Sequence, residues 1–210
     1  ETVYGLGANA LDEAAVRRIF EVKGRPPSSP VIVHAASIEM ARNLALQWPD
    51  TARKLAEQFW PGPLTLVVPK RPSIPAIVSA GLPTVGLRMP AHPLALALIE
   101  ASGCPIAAPS ANRFTELSPT TADHVRKSLG DAVDLVLDGG STPVGIESTV
   151  VSLAADPPLL LRPGMITREE LESVIGRVAV RTAAGAEEAH PAPGMHPRHY
   201  SPRTPLLLVR

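Results

Sequence analysis

Short apolar runs of strand length alternate along this chain with segments of helical periodicity, and this alternation constrains the fold more than any other feature. Residues 12–23 carry apolar side chains at helical spacing, and Gly24 follows where a left-handed residue is tolerated. Thr167 and Glu170 form a capping-box pattern that starts a helix at Arg168. The alternation predicts an α/β fold, with a mixed β-sheet and flanking helices.

The remaining elements follow from the same patterns and from the prolines and glycines that separate them. We predict helices at residues 12–23, 37–48, 51–60, 93–102 and 121–129 and from 168, and strands at 31–33, 64–68, 85–89, 106–108, 135–137, 149–153 and 159–161.

The chain has 210 residues, enough for one sizeable domain with a tail. We expect a catalytic domain at residues 1–181, a linker at 182–205 rich in Ala, Gly, Pro and His, and the start of a truncated C-terminal domain at 206–210. Because the apolar pattern begins at once with Val3 and Tyr4, we expect the natural chain to extend before Glu1.

Composition excludes several classes of function. The 20 basic and 20 acidic residues cancel, which argues against a protein that binds nucleic acid by neutralising many phosphates. The single Cys104 rules out a disulfide framework and is predicted to be a small core residue. Neither a membrane-spanning run nor a signal peptide is visible, so we expect no membrane association and a cytoplasmic location.

Two cations, Lys23 and Arg25, lie just beyond a predicted helix end and suit an anionic ligand such as a triphosphate. Capping of the helix dipole would explain them equally well. His34 ends a predicted buried strand and is a candidate ligand-binding residue, although a lone histidine there is more often a hydrogen-bonded core residue.

Three further segments place polar side chains at strand ends. Thr84 and Arg88 share one face of a predicted strand, and a buried arginine needs either a carboxylate ligand or a structural acidic partner. Residues 107–112 end in Ser110 and Asn112, which would suit a phosphate or ribose pocket but also an ordinary turn. Ser148 is a possible ligand donor before another strand.

Common signatures are missing from the sequence. It has no Gly-Lys-Ser/Thr phosphate loop, no dinucleotide glycine fingerprint and no serine elbow. His196 and His199 have nearly metal-like spacing, but the proline between them and the lack of a third obvious ligand make a metal site improbable.

Taken together, these segments resemble the YrdC-like threonylcarbamoyl-AMP synthase family, in its longer form with a C-terminal domain. The matching motifs, in the family's order, are TVYGLG at 2–7, KGRP at 23–26, VIVH at 31–34, WPGPLTL at 60–66, VGLRMP at 85–90, APSAN at 108–112, SPT at 118–120, GIEST at 145–149 and LRPG at 161–164. Residues 193–202 resemble the linker that covers the active site in the longer members.

The resemblance implies a twisted mixed sheet around a large concave active site. It implies a catalytic quartet of Lys23, Arg25, Ser110 and Asn112. On the threonine side it implies Thr2, His34, Arg88, Ala108 and Ser148, with Arg88 pairing the carboxylate. On the ATP side it implies Arg25, Ser29, Thr84, Ser110, Ser118, Arg162 and, from the linker, Tyr200.

The implied reaction makes L-threonylcarbamoyl-AMP from L-threonine, bicarbonate and ATP, for modification of the adenosine next to the anticodon in tRNA. A carbamate of threonine would attack the α-phosphate and expel pyrophosphate, and Lys23 and Arg25 would offset the charge with Mg²⁺ held through the ATP phosphates. The implied partners are these substrates and a downstream tRNA-modifying transferase complex. No protein metal site and no stable nucleic-acid binding are expected.

The chain departs from the family at two places. Ser29 stands where members often have Asn, and residues 113–117 replace a loop that commonly contains a Gly. We therefore expect a weaker ATP contact at Ser29 and a changed turn before Ser118.

Two other functions are considered: a non-catalytic nucleotide- or RNA-binding module and a carbamoyl-transfer domain on the same fold. A composition with 3% aromatic residues argues against the first, and the linker argues against the second.

Overall fold

A computed structural model describes residues 1–180 of the chain. The predictions for Tyr200, for the linker at 182–205 and for residues 206–210 lie outside this part. The described elements are β1 Ala8–Asn9, α1 Glu13–Lys23, β2 Val33–His34, α2 Ile38–Arg42, α3 Asp50–Phe59, β3 Leu64–Pro69, β4 Thr84–Arg88, α4 Pro93–Ser102, β5 Ile106–Ala107, α5 Ala122–Leu129, β6 Thr149–Ser152, β7 Leu159–Arg162, α6 Arg168–Ile175 and β8 Ala179–Val180.

The eight strands form one sheet in the order β1-β5-β2-β4-β3-β6-β7-β8. Strands β2 and β4, β3 and β6, and β7 and β8 pair in parallel, whereas the other neighbours are antiparallel. The predicted mixed α/β architecture is therefore confirmed. The order places β2, β4 and β5 side by side, so residues at their ends share one edge of the sheet.

Apolar side chains alternate between the two faces of β3, as the pleat of a strand requires. Leu64, Leu66 and Val68 belong to the main core, which also contains Leu55 of α3, whereas Val67 packs with Val150 and Leu161 on the other face. This core holds the sheet from which the site residues project.

Helix boundaries follow local sequence signals. Asp12 caps α1, Gly24 ends it with φ 62°, and the predicted capping box of Thr167 and Glu170 is present at the start of α6. Helix α1 therefore begins and ends, and helix α6 begins, where the local patterns predicted.

Three predictions about local structure were wrong. Helix α2 ends at Arg42 rather than near residue 48, because the Leu46 amide donates to the Pro69 carbonyl at 2.8 Å and draws the chain to the end of β3. Residues 135–137 do not form a strand. Val136 packs against a small apolar cluster of Ala111, Val125 and Leu129, whereas Leu135 is exposed. Cys104 is half-buried beyond α4, near the Ser102 hydroxyl, and is not a core residue.

No helix within residues 1–180 is long and apolar enough to cross a membrane.

Candidate active site

A concave cavity of about 190 Å³ opens at the edge of the sheet formed by β2, β4 and β5. Its polar wall residues come from seven separate parts of the chain: Glu1, Thr2, Arg25, His34, Arg88, Ser110, Glu147, Ser148 and Arg162. A wider apolar groove adjoins it and shares Leu98 and Ile106 with its wall. Three arginines thus meet at one cavity in a chain whose formal net charge is zero.

Arg88 ends β4 and lies at one end of the cavity, with only 5% of its surface exposed. Its Nε donates to the Gly62 carbonyl at 3.0 Å and its Nη1 donates to the Thr2 hydroxyl at 2.9 Å. Its Nη2 donates to a carboxylate oxygen of Glu1, which forms a buried ion pair. Arg88 therefore has the acidic partner that a buried arginine needs, and that partner comes from this chain.

The Gly62 carbonyl can accept from Arg88 because residue 62 has no side chain. A Cβ at this position would lie 2.3 Å from the Phe59 carbonyl oxygen. The Gly62 amide also donates to the Met89 carbonyl at 2.9 Å, which holds the turn beside the end of β4. The WPGP motif therefore shapes the backbone that orients Arg88.

His34 ends β2, directly beside Arg88 in the parallel register of β2 and β4. Burial, and after it the nearby Arg88 cation, lower the pKa of its imidazole to about 3. Its Nδ1 is buried and has no hydrogen-bond partner among the described residues. His34 is thus a neutral side chain that could accept or donate a hydrogen bond at this end of the cavity.

Lys23 is the last residue of α1, and Arg25 follows the Gly24 cap and lines another side of the cavity. The Lys23 ammonium donates to the backbone carbonyls of Ser110 and Asn112. The Phe114 amide donates to the Lys23 carbonyl at 2.8 Å. The pKa of Lys23 is lowered to about 7, chiefly by burial and then by the nearby Arg25 cation. The carboxylates of Glu147 and Glu116 act in the opposite direction and raise it. Lys23 therefore shapes the backbone of residues 110–112, and Arg25 is the member of this pair on the cavity wall.

Arg25 is 5% exposed and is held on several sides. Its Nη2 donates to the Ser29 hydroxyl at 2.5 Å and to the Pro30 carbonyl at 2.9 Å. The Phe114 ring lies over the guanidinium, 5.9 Å from Cζ to the ring centroid, which is within cation–π range. These contacts fix the orientation of a cation that faces the cavity.

Ser148 and Arg162 form the third side. Arg162 ends β7 and donates through Nε and Nη2 to the Ser148 carbonyl at 3.0 and 2.9 Å. The Ser148 hydroxyl is buried between Arg162 Nη2 at 3.1 Å and the Thr65 hydroxyl at 2.8 Å. The two residues are positioned by each other, so a change at either one would move both.

The comparison with known proteins decides the family. The Sua5/YciO/YrdC family model, described as "Telomere recombination", matches residues 1–164. The chain belongs to this family. A second model, described as "Threonylcarbamoyl-AMP synthase, C-terminal domain", matches residues 166–210.

Two curated relatives carry the name threonylcarbamoyl-AMP synthase. The protein from Pyrococcus abyssi is 52% identical over 100% of this chain and 62% of its own length, and the protein from Bacillus subtilis is 50% identical over 99% and 61%. A crystal structure of P. abyssi Sua5 complexed with L-threonine superposes with a TM-score of 0.93, at 53% identity over 96% of this chain and 60% of that one. The chain thus spans about three fifths of the length of these relatives.

The structure brings most of the residues expected from the family to one place. Eight of them lie on the cavity wall: Thr2, Arg25, His34, Arg88, Ala108, Ser110, Ser148 and Arg162. The cavity wall does not include Lys23, Asn112, Ser29 or Ser118. Lys23 donates to the backbone carbonyls of Ser110 and Asn112, while Ser29 contacts Arg25 and Ser118 contacts Glu147. The Asn112 side chain donates to the carbonyls of Arg113 and Glu116, each at 2.8 Å, and its Oδ1 is buried without a partner in the described chain.

Thr84 is not on this wall. It lies at the other end of β4 from Arg88 and lines a separate small cavity with Thr65 and Gly86. Four residues of extended strand separate Thr84 from Arg88 by roughly 13 Å, so sharing a face did not place both at one site. The grouping of Thr84 with the ATP-side residues therefore stays a prediction.

Two wall residues were missed by the sequence analysis, Glu1 and Glu147. Glu147 accepts a hydrogen bond from the Ser118 hydroxyl at 2.6 Å, and Glu1 pairs with Arg88. The need of a buried Arg88 for an anion was visible in the sequence, but its partner is 87 residues away. For Glu147 the only signal was its place between Gly145 and Ser148 in a matched motif.

The loop that departs from the family contains a backbone conformation that favours glycine. Thr115 has φ 73°, a left-handed value that β-branched residues rarely adopt. The loop is held by the Ser128 hydroxyl, which accepts from the Arg113 amide at 3.1 Å and donates to a Glu116 carboxylate oxygen at 2.8 Å. These two hydrogen bonds hold the loop that leads to Ser118.

Proposed function

We propose that this chain carries the synthase activity of a longer protein, which makes L-threonylcarbamoyl-AMP from L-threonine, bicarbonate or CO₂ and ATP and releases pyrophosphate. As a nucleotidyltransferase, it would hand the product to a transferase complex that modifies the adenosine next to the anticodon in tRNA. The observation that carries the proposal is one cavity whose wall carries buried arginines in two places. Arg88 lies beside a neutral His34 in one place, and Arg25 lies in the other. The names of the relatives and the threonine complex of P. abyssi Sua5 support it.

The Arg88 end would bind threonine. Arg88 would hold the amino acid carboxylate, because charge-assisted pairs of arginine and carboxylate are strong and directional. Thr2, His34 and Ser148 would surround the rest of the molecule, and the apolar side chains of Ile32, Ile99 and Ile106 on the wall would exclude water from it. Exclusion of water protects a carbamate from loss before it reacts.

The Arg25 end would bind the triphosphate. The carbamate oxygen would attack the α-phosphate of ATP, the bond from that phosphorus to the bridging oxygen would break, and pyrophosphate would leave. Negative charge on the phosphates would be offset by Arg25 and Arg162, and Ser110 would lie on the same wall. Lys23 would contribute by fixing the Ser110–Asn112 backbone and, when protonated, by its charge.

Mg²⁺ would enter with ATP. Within residues 1–180 no three His, Cys, Asp or Glu side chains are grouped so that they could hold a metal ion. The side chains on the wall thus fit an ion that would be bound mainly through phosphate oxygens. Glu147, which accepts a hydrogen bond from Ser118, is the carboxylate that could contribute to holding it. Bound there, the ion would supply charge neutralisation on the phosphates.

The test is release of pyrophosphate from ATP by purified protein with Mg²⁺, comparing L-threonine, L-serine and no amino acid, each with and without bicarbonate. The proposal expects release that requires both threonine and bicarbonate. ATP binding without release in the full-length protein would contradict the proposal and favour a nucleotide-binding module. Carbamoyl transfer without formation of an adenylate would favour a carbamoyl-transfer domain.

A further inference from the structure

Glu1 has no role in the proposed reaction so far, yet it lies in the wall at the amino-acid end. Its backbone carbonyl accepts from the Val144 amide at 3.0 Å, which fixes the segment beside the cavity. Its side chain is 11% exposed and one carboxylate oxygen pairs with Arg88 Nη2. A carboxylate is therefore held directly beside the cation that would bind the substrate carboxylate.

The second carboxylate oxygen of Glu1, Oε2, is buried and has no hydrogen-bond partner among residues 1–180. A buried carboxylate oxygen without a donor is unfavourable, and the surrounding structure supplies none. The terminal torsion of a glutamate is broad, so the carboxylate can turn towards a donor that enters the cavity. The chemistry that would satisfy this oxygen is a cationic N–H group.

A free amino acid brings such a group to this position. Its ammonium is attached to the carbon next to the carboxylate, so a carboxylate held by Arg88 places the ammonium close to the neighbours of Arg88. Three N–H groups of Arg88 have partners in the described chain, and a guanidinium has five, so two remain for a ligand. Glu1 is the acidic neighbour in direct contact with Arg88.

The other two candidates for the ammonium site are less suitable. Glu147 is the other carboxylate on the wall, but it accepts from Ser118, on the side that would hold phosphates. His34 borders Arg88 but stays neutral, because burial lowers its pKa to about 3, so it supplies no charge. Only Glu1 combines a negative charge, contact with Arg88 and an oxygen that has no donor.

We infer that Glu1 binds the α-ammonium group of the substrate amino acid and selects amino acids over the corresponding hydroxy acids. This inference rests on the proposed function. It divides recognition between two side chains that also bind each other: Arg88 holds the carboxylate and Glu1 holds the ammonium. The alternative is that Glu1 only orients Arg88, in which case its loss would weaken every ligand that uses Arg88.

The test compares L-threonine with 2,3-dihydroxybutanoate of matching stereochemistry, in which a hydroxyl replaces the ammonium. Affinities are measured by calorimetry, with competition for weak ligands, on full-length wild-type, Glu1→Gln and Glu1→Asp proteins. Glu1→Gln keeps size and hydrogen bonding but removes the charge. We expect it to weaken threonine by about ten- to hundredfold and the hydroxy acid by less than about threefold. Glu1→Asp, which keeps the charge, should recover part of the preference for threonine.

Glu57→Gln is the matched control, because it makes the same change at an exposed side chain of α3 that does not line the cavity. It should leave the ratio of the two affinities unchanged, and thermal unfolding should verify that every variant is folded. Equal weakening of both ligands by Glu1→Gln would assign Glu1 to orienting Arg88 and overturn the inference, as would an unchanged threonine affinity. Absence of threonine binding by the wild type would overturn the proposed function itself and the inference with it.

Discussion

The two ends of the cavity hold their buried cations in different ways. Arg88 is paired with the carboxylate of Glu1, so its charge is balanced before any ligand arrives. Lys23 donates to two neutral carbonyls and lies near Arg25, and burial lowers its pKa to about 7. One end is therefore organised by an internal ion pair, whereas the other is organised by hydrogen bonds from Lys23 to backbone carbonyls.

The largest expected effect comes from breaking the ion pair. Arg88→Met leaves the Glu1 carboxylate buried and unpaired, which typically costs about 3–5 kcal/mol of stability. It should also weaken threonine by about a hundredfold, because a charge-assisted pair with the substrate is lost. Urea unfolding and calorimetry measure the two effects.

The double variant Arg88→Met with Glu1→Gln separates them. It should recover most of the stability, since no unpaired charge remains, but none of the threonine affinity. Threonine binding that survives Arg88→Met would remove Arg88 from the substrate carboxylate.

The second prediction concerns ATP binding at the Arg25 end of the cavity. Arg25→Met is expected to weaken ATP by about thirtyfold, the size of a lost charge-assisted contact, while threonine affinity changes little. The measurement is an ATP titration with and without threonine. Arg126→Met, which removes an exposed arginine paired with Asp123 on α5, is the matched control and should leave ATP binding unchanged.

The pH dependence of stability sharpens the comparison at Lys23. The unfolded chain holds this proton up to about pH 10.5, the native state only up to about pH 7, so between these values the unfolded state binds more protons and stability rises with pH. Between pH 7 and 9 this single group should add about 2 kcal/mol.

Lys23→Met removes that contribution. Urea unfolding of wild type and variant at both pH values isolates it, because the other titrating groups cancel in the difference. Parallel changes with pH in the two proteins would mean that Lys23 stays protonated in the native state.

The smallest effect is expected in the loop beside Arg25. Thr115→Gly should raise stability by about 0.5–1 kcal/mol, because relief of the left-handed conformation outweighs the extra freedom of glycine in the unfolded chain. Leu117→Gly, in the same loop and without a positive φ, should lower it. Thermal unfolding of both variants tests the pair, and a loss of stability in Thr115→Gly would contradict the strain at this residue.

Local signals predicted much of the fold. The ends of α1 and the start of α6 depend on residues within one turn, such as Gly24 and the Thr167–Glu170 pair, so the sequence contains the whole cause. The end of α2 was missed because its cause, the Pro69 carbonyl, is 23 residues beyond Leu46. Prediction failed where a distant backbone competed with the helix.

The same division holds for the site. Motif resemblance placed His34, Arg88 and Ser148 together, because family order carries information about three-dimensional position that spacing alone lacks. Thr84 shares a strand face with Arg88 but lines a separate cavity, because alternation gives the face of a strand and not which of its ends reaches a given cavity. Glu1 was missed because its partner, Arg88, is 87 residues away, and a contact over that distance leaves no local pattern in the sequence.

The origin of the polar cavity wall in seven segments, from Glu1 to Arg162, has a consequence for synthesis of the protein. A ribosome makes these segments in order, and at 5–20 residues per second roughly 8–30 s pass between the first wall residues and Arg162. Throughout that time Arg25 and Arg88 lack the last side of the cavity. A nascent chain therefore completes the cavity wall only late in translation, and a ligand of this cavity can stabilise the domain only after nearly all of it has been made.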